Sequence, residues 1–219
     1  MPLENSADRR GFWAMVPVLV RRAVRFEAGV WRSLGRWLVR RPDVAPGEKA
    51  FAYRGPVVAL LLMFILLSAV EAVAVDLILP WRGAIRIVLL VLGIWGTMLM
   101  LGILASITVF PHVVRPSGLR VRYGLSLDVQ LPWDVVTSVQ RVTRIHAGQG
   151  TVQLDGETLN VVMAGQTAVK VELARPVHVD LPRERTAEIT TLHFHTDDAA
   201  GLVAAARAHL EARPTGQGA

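Results

Sequence analysis

Two long apolar runs, separated by a break, constrain this chain more than any other feature. The first run covers residues 57–79, the second covers residues 87–110, and the break contains Pro80-Trp81-Arg82-Gly83. Each run is close to the ~20 residues that a helix needs to cross a ~30 Å hydrocarbon core. Proline and glycine end helices, and tryptophan favours the membrane interface. The sequence therefore predicts a two-helix transmembrane hairpin over residues 57–110.

Composition agrees with a membrane protein and excludes several kinds of chemistry. Apolar residues make up 52% of the 219 residues, charged residues make up 19%, and the mean hydropathy is +0.40. These values exclude a disordered or fibrous chain. The chain has no cysteine, so disulfides, iron–sulfur ligation, thiol nucleophiles and cysteine zinc sites are excluded as well.

The net charge of +6 lies entirely in the N-terminal quarter. Residues 1–56 carry eleven basic and five acidic side chains, whereas residues 57–110 and 111–219 are each neutral. Because a nucleic-acid-binding domain needs a basic face of its own, no nucleic-acid partner is expected. A basic segment beside membrane helices is attracted to anionic headgroups. The lipid bilayer is therefore the expected partner of this segment.

Residues 18–41 predict an amphipathic helix, and residues 42–54 predict a linker from that helix into the hairpin. Apolar side chains recur on one side at steps of three and four, and arginines line the other side. The apolar set is Leu19, Ala23, Phe26, Val30, Leu34 and Trp37, and the basic set, which is a candidate for lipid phosphates, is Arg21, Arg25, Arg32 and Arg36. This pattern is typical of a helix in the headgroup region. Packing on the protein's own cytoplasmic domain, or on a partner, is an equal alternative.

Residues 111–195 change to a period of two, which indicates short strands. Segments such as LRVRY, LDVQL and AVKVEL alternate between apolar and polar residues, with glycines between them. A final helix is predicted over residues 198–212, with Thr196, Asp197 and Asp198 as capping residues. The expected structure is a small antiparallel sheet or barrel closed by one helix.

These patterns together predict an α+β membrane protein. Its parts are a basic N-terminal segment at residues 1–56, the hairpin at 57–110, a β-domain at 111–213 and a disordered tail at 214–219. Lysine and arginine are more frequent in the flanks of the hairpin than in its loop. The positive-inside rule then places both termini in the cytoplasm. Twenty-two of the 24 basic residues are arginine, which is typical of coding in a GC-rich bacterial genome, so the expected location is a bacterial inner membrane.

The stretch from Pro111 to Val142 resembles the opening of bacterial PH-like domains that are attached to two membrane helices. It holds a Gly-Leu-x-Val-Arg strand that ends at Arg122, a short turn, and Pro132-Trp133 before the next strand. The segment GQTAVKVELARPV at residues 165–177 and the order of strands before one helix are similar to actinobacterial membrane proteins of this layout. The resemblance implies a PH-like barrel and a membrane location. It implies no activity and no catalytic residues.

Two charged residues lie within the first apolar run of the predicted hairpin, and Arg86 lies just before the second run. Glu71 is roughly two turns from the outer end of the first helix, and Asp76 is about one turn from the interface, opposite Arg86. Charges in lipid face protein, water or a partner. Glu71 is therefore expected either to fix the hairpin or to act as a proton or ion relay or a partner contact. Asp76 and Arg86 are expected to form a structural ion pair.

Four small residues on the second helix are candidates for helix packing, because small residues allow close approach of two backbones. They are Gly93, Gly96, Gly102 and Ser106. The sequence leaves open whether they contact the first membrane helix or another chain.

Two pairs of residues in the β-domain are considered as binding sites. Arg120 and Arg122 share a strand face and suit phosphate geometry, with a solvated strand face as the alternative. His193 and His195 share another face but lack a third ligand. No metal, cofactor or catalytic residue is therefore predicted.

The expected function is a non-enzymatic scaffold, anchored in the membrane, whose PH-like domain presents a groove or sheet edge to a protein partner. A second copy of the chain is the other partner considered. One alternative function is a small oligomeric transporter or channel component that uses Glu71. Another is a sensor of anionic lipids that uses the arginine faces.

Overall fold

The computed structural model describes residues 5–78, 84–146, 150–182 and 185–212. The chain is an α+β protein with four helices and nine strands in the described residues. In chain order these are α1 Asn5–Leu38, β1 Lys49–Phe51, α2 Gly55–Ile78, α3 Ala84–Val109, β2 His112–Arg115, β3 Gly118–Tyr123, β4 Leu127–Pro132, β5 Val136–Ile145, β6 Val152–Asp155, β7 Thr158–Val161, β8 Gln166–Leu181, β9 Arg185–Phe194 and α4 Ala199–Glu211. The predicted turn at 80–83 and the predicted tail at 214–219 lie outside the described residues.

Both apolar runs are helical, as α2 and α3. Within the described residues, α3 is the one helix that is long and apolar enough to cross a membrane. The apolar part of α2, Val57–Glu71, is shorter. Helix α3 packs against α2 and also against α1.

Helix α1 is longer than the predicted amphipathic helix, since it begins at Asn5 and ends at Leu38. It runs beside α3 in the same direction, because Glu27 contacts Trp95 and Arg36 lies over Phe110 further along both helices. Val30, from the apolar set, is fully buried. The apolar side of α1 therefore packs partly on α3. Gly29 of the same helix lies against Leu125, in the turn between β3 and β4, so α1 also contacts the domain that the sequence alternative considered.

The nine strands form two sheets. The first has the order β1-β2-β3-β4 and the second has the order β5-β8-β9-β7-β6. Strand β1 lies within residues 42–54, which the sequence predicted as a linker. The two sheets and α4 together are called the β-domain below.

The expected antiparallel sheet or barrel is wrong in two respects. Strand β7 pairs with β9 in parallel, and the described strands form two sheets with no closed barrel. The parallel pair arises because β8 and β9 already form a long antiparallel hairpin. The β6–β7 hairpin adds at the free side of β9, and it does so through β7.

The core of the β-domain lies between the two sheets and α4. Strict alternation in β4 buries Leu127, Val129 and Leu131 and exposes the residues between them. Helix α4 adds Leu202 and Ala206. The first residues after β4 include Trp133, whose indole N–H donates to a backbone carbonyl of β2 at 2.9 Å.

Candidate functional site at the junction between the helices and the β-domain

One carboxylate of the β-domain holds the start of α2. Asp197, between β9 and α4, accepts hydrogen bonds from the backbone N–H groups of Arg54 at 2.9 Å and Gly55 at 3.0 Å. The first N–H groups of a helix lack partners within the helix, and negative charge is favourable there. Asp198 caps α4 by accepting from the N–H of Gly201 at 2.8 Å. The prediction that both aspartates cap the last helix is therefore wrong for Asp197.

The residue that follows β1 is bonded to the same loop. The carbonyl oxygen of Ala52 accepts from the N–H of Asp197 at 2.8 Å and from the hydroxyl of Thr196 at 3.0 Å. Thr196 was predicted to cap the last helix, and it bonds Ala52 instead. The loop after β9 therefore fixes both the end of β1 and the first turn of α2.

Aromatic side chains fill the space beside this cap. The rings of Tyr53 and His112 stack with centroids 4.5 Å apart, and Phe194 packs edge-on against His112 at 4.9 Å. The hydroxyl of Tyr53 accepts from the N–H of Gly124 at 2.7 Å, and burial raises the pKa of Tyr53. This cluster joins the segment before α2, the segment after α3 and the last strand.

Two hydrogen bonds fix the tautomer of His112. Its Nε2 lies 2.8 Å from the carbonyl oxygen of His195, to which it donates, and its Nδ1 accepts from the N–H of Arg122 at 3.1 Å. An accepting Nδ1 requires a neutral ring. Complete burial lowers the pKa of His112 to about 4, so the ring is neutral at physiological pH.

A second carboxylate, that of Asp43, joins the other two helices to the first sheet. Arg36 of α1 lies 3.1 Å from its Oδ1, while Arg122 and Arg120 of β3 lie 2.7 and 3.7 Å from its Oδ2. The N–H of Asp43 donates to the carbonyl of Val109, the last residue of α3, at 2.9 Å. The carboxylate of Asp43 thus forms ion pairs with arginines of α1 and β3, and its backbone is bonded to the end of α3.

Arg120 and Arg122 belong to this internal ion-pair network. Arg120 binds the carboxylate of Asp128 through Nε at 2.7 Å and also through Nη2, and this bond raises the pKa of Arg120. Arg122 is only 2% exposed, and its guanidinium lies over the ring of Phe110. The alternative of a solvated strand face is therefore wrong for Arg122. A lipid phosphate at this site would have to displace Asp43 and Asp128.

Glu71 lies in a groove of about 320 Å³ between α2 and α3. Ser68 lines the groove from α2, and Gly93, Gly96 and Thr97 line it from α3. A Cβ atom at Gly96 would meet nothing within 4 Å. The side chain of Glu71 is exposed, so the groove presents a carboxylate on the surface of the helices.

Two other residues that the sequence singled out on these helices, Gly102 and Ser106, do not line this groove. A Cβ atom at Gly102 would overlap the side chain of Val30, so Gly102 contacts α1, a partner that the sequence did not suggest. The hydroxyl of Ser106 donates within α3 to the carbonyl of Ile103 at 2.7 Å. The side chain of Asp76 lies outside the described residues, and its ion pair stays a prediction.

Sequence reasoning missed Glu27. Its Oε1 accepts from the indole N–H groups of Trp95 at 2.9 Å and Trp31 at 3.3 Å. The only signal was one acidic residue on α1 between arginines. On the basic side of this helix Arg21, Arg25 and Arg32 are exposed, whereas Arg36 is partly covered by the contacts described above.

A cleft of about 410 Å³ opens beside β6 at the edge of the second sheet. Its lining includes Tyr123, Thr151, Leu154, Leu181 and Arg185. Strand β6 pairs with β7 and with no other described strand. One row of its backbone groups is therefore available for pairing.

His193 and His195 do not converge on a metal site. His193 is buried opposite Lys170, and burial together with the charge of Arg144 lowers the pKa of His193 to about 4. Nε2 of His195 lies 3.8 Å from Oδ1 of Asp197. In the part of the chain that the structure describes, no group of three His, Asp or Glu side chains could hold a metal ion.

Comparisons of the chain with protein-family models, with curated proteins and with solved structures found no match.

Proposed function

We propose that this chain is a non-enzymatic interaction module anchored in a bacterial inner membrane. In this proposal α2 and α3 both cross the membrane, and the β-domain lies at the cytoplasmic face, where it binds a protein partner. The apolar character of α3 supports anchoring, and α2 is similar in length. The lysines and arginines that flank the hairpin support the orientation.

The observation that carries the proposal is the double attachment of the β-domain to the helices. Asp197 bonds the start of α2, and Asp43 connects α1 and the end of α3 to β3. These bonds hold the β-domain in one pose relative to the helices. A fixed pose lowers the entropy cost of binding a partner. Asp197, Asp43 and Tyr53 of the junction are each engaged in bonds that join the helices to the β-domain, which supports binding over catalysis.

The free side of β6 is the surface proposed to take the partner. The N–H of Val162 donates to the carbonyl of Thr151 across the β6–β7 ladder. Because bonding positions alternate in an antiparallel pair, the N–H groups of Val152 and Leu154 point away from β7. An extended peptide can add to such an edge as a further strand, with side chains in the adjacent cleft.

Affinity purification of the full-length chain from its native membrane tests this surface. We expect a stoichiometric partner identified by mass spectrometry. Leu154→Pro removes one outward N–H group and should abolish capture, whereas Leu154→Ala keeps that group and should retain it. Equal capture by both variants would contradict strand addition at β6.

Orientation is tested separately. A reporter that is active only in the periplasm, fused after residue 219, should be inactive, and the chain should stay in membranes after alkaline carbonate extraction. An active reporter would contradict the cytoplasmic placement. Release by carbonate would contradict anchoring.

A further inference from the structure

The helices expose two opposite charges at the same level along α3. Glu71 of α2 shares its groove with Gly93. Arg25 of α1 lies two residues before Glu27, whose carboxylate is bonded to Trp95. Since a helix rises 1.5 Å per residue, Arg25 and Glu71 lie within about one helical turn of each other along the axis of α3.

Neither charge is neutralised by the described residues of its own copy. Both side chains are exposed, and among the residues that the structure describes neither takes part in an ion pair or a side-chain hydrogen bond. At the depth of an apolar helix, ionised side chains require a counter-charge, water or a partner. The described part of one copy thus exposes a carboxylate on α2 and a guanidinium on α1 and provides a counter-ion for neither.

We propose that Arg25 of one copy pairs with Glu71 of a second copy, so that the chain assembles through α1 of one protomer and α2 of the next. The inference rests on the proposed membrane anchoring, because lipid is what makes the unpaired charges costly. The second copy is the partner that supplies both charges at matching depth. Gly93 and Gly96 line the groove beside Glu71, and a Cβ atom at Gly96 would meet nothing within 4 Å, so the groove has room for an entering arginine side chain.

The position of Arg25 within a basic row supports this pairing. Arg21 and Arg32 are exposed on the same side of α1, four residues before and seven residues after it. They extend the cationic stripe above and below the level of Glu71. If each copy gives both Arg25 and Glu71 to the same neighbour, the contact closes a two-fold dimer. If it gives them to two different neighbours, the contact closes a ring or extends into a filament.

Disulfide crosslinking tests the contact directly, because the chain has no cysteine of its own. Arg25→Cys/Glu71→Cys, oxidised in native membranes, should give dimers or larger species that disappear on reduction. The matched control is Arg25→Cys/Leu66→Cys. Leu66 is 67% exposed on α2 but five residues away, on a different side of the helix. Equal crosslinking of both pairs, or none in the first, would overturn the proposal.

The cysteine substitutions remove both charges and could themselves disrupt the contact, so a second test exchanges the two charges. Glu71→Arg and Arg25→Glu should each lower the assembled fraction in mild detergent by about tenfold or more. A change of that size is expected when one favourable contact is lost. The double variant Arg25→Glu/Glu71→Arg exchanges the two charges across the interface and should restore assembly. A double variant that assembles no better than either single variant would overturn the pairing.

Anionic lipid is the competing partner for Arg25. A monomer that retains anionic phospholipid during purification, and loses it on Arg25→Gln, would assign the charge to headgroups and overturn the proposal. Carbonate extraction of every variant distinguishes a failure of the Arg25–Glu71 pairing from a failure of the proposed membrane anchoring. Variants that stay in the membrane without assembling contradict only the pairing, whereas variants released by carbonate contradict the anchoring.

Discussion

Two adjacent aspartates cap two different helices in this chain. Asp197 bonds the first N–H groups of α2, and Asp198 bonds the first turn of α4. A local sequence pattern identifies aspartate as a capping residue. It cannot identify which helix is capped when that helix begins 142 residues earlier, because the contact depends on the tertiary fold.

Asp197→Ala should lower the free energy of unfolding by about 1–2 kcal/mol, since two helix N–H groups lose their acceptor. Asp197→Asn keeps one acceptor oxygen and should lose less. Thermal unfolding of the full chain in mild detergent, followed by tryptophan fluorescence, measures both. An unchanged midpoint for the alanine variant would contradict the capping role.

Acid should destabilise the protein through His112. Its pKa is lowered from 6.5 to about 4 in the folded state. Between these values the unfolded chain binds a proton that the folded chain excludes. The free energy of unfolding therefore falls as the pH drops from 6.5 to 4, by about 3 kcal/mol in total from this residue.

Urea unfolding at several pH values measures this slope. His112→Gln should flatten it, while His193 and His195, whose pKa values burial also lowers, should contribute to the dependence that remains. His178 is exposed, with 74% of its side chain accessible, so His178→Gln is the matched control and should keep the full slope. A slope that His112→Gln leaves unchanged would argue against a neutral buried ring.

At the level of elements, local sequence patterns predicted where the helices and strands lie. They did not predict which elements pack or pair with one another. The apolar runs predicted α2 and α3, and the alternation of β4 predicted its buried face. The packing of α1 on α3 and the parallel pairing of β7 with β9 were missed. Periodicity reports which face of an element is apolar; it carries no information on which distant element covers that face.

Two glycines of α3 that look alike in the sequence should respond differently to substitution. A Cβ at Gly102 would overlap Val30 and lie 3.1 Å from its carbonyl oxygen, while a Cβ at Gly96 would meet nothing. Gly102→Ala should therefore push α1 away from α3 and cost about 1–3 kcal/mol. Gly96→Ala should be neutral or slightly stabilising.

Thermal unfolding of the two variants side by side measures the difference. Protease sensitivity of α1 in the folded protein gives a second reading, which should rise for Gly102→Ala alone. Equal behaviour of the two variants would show that α1 does not depend on this close approach.

For the whole molecule, the carboxylate of Asp43 is one of the two attachments that join the helices to the β-domain. The residue lies in a stretch that the sequence predicted as a linker, and its partners Arg36 and Arg122 come from α1 and β3. The same arginines were candidates for phosphate binding in the sequence. Sequence could not separate the two roles, because the nearest carboxylates become visible only after folding.

Asp43→Asn should lower the free energy of unfolding by about 2–4 kcal/mol, because it leaves the buried guanidinium of Arg122 without its nearest counter-charge. Asp43→Asn/Arg122→Met should recover much of this loss, since both the charge and its need for a partner are removed. A double-mutant cycle on thermal unfolding gives the coupling between the two residues. Additive losses would contradict a direct interaction.

The separation between Asp197 and α2 also sets an order of events during synthesis. Helix α2 leaves the ribosome 142 residues before the carboxylate that bonds its first turn. The start of α2 must therefore remain uncapped, or capped by water, while the rest of the chain is translated. Completion of the β-domain is then the step at which the helical hairpin acquires its final anchorage, so translation speed between the two segments bears on the yield of correctly joined molecules.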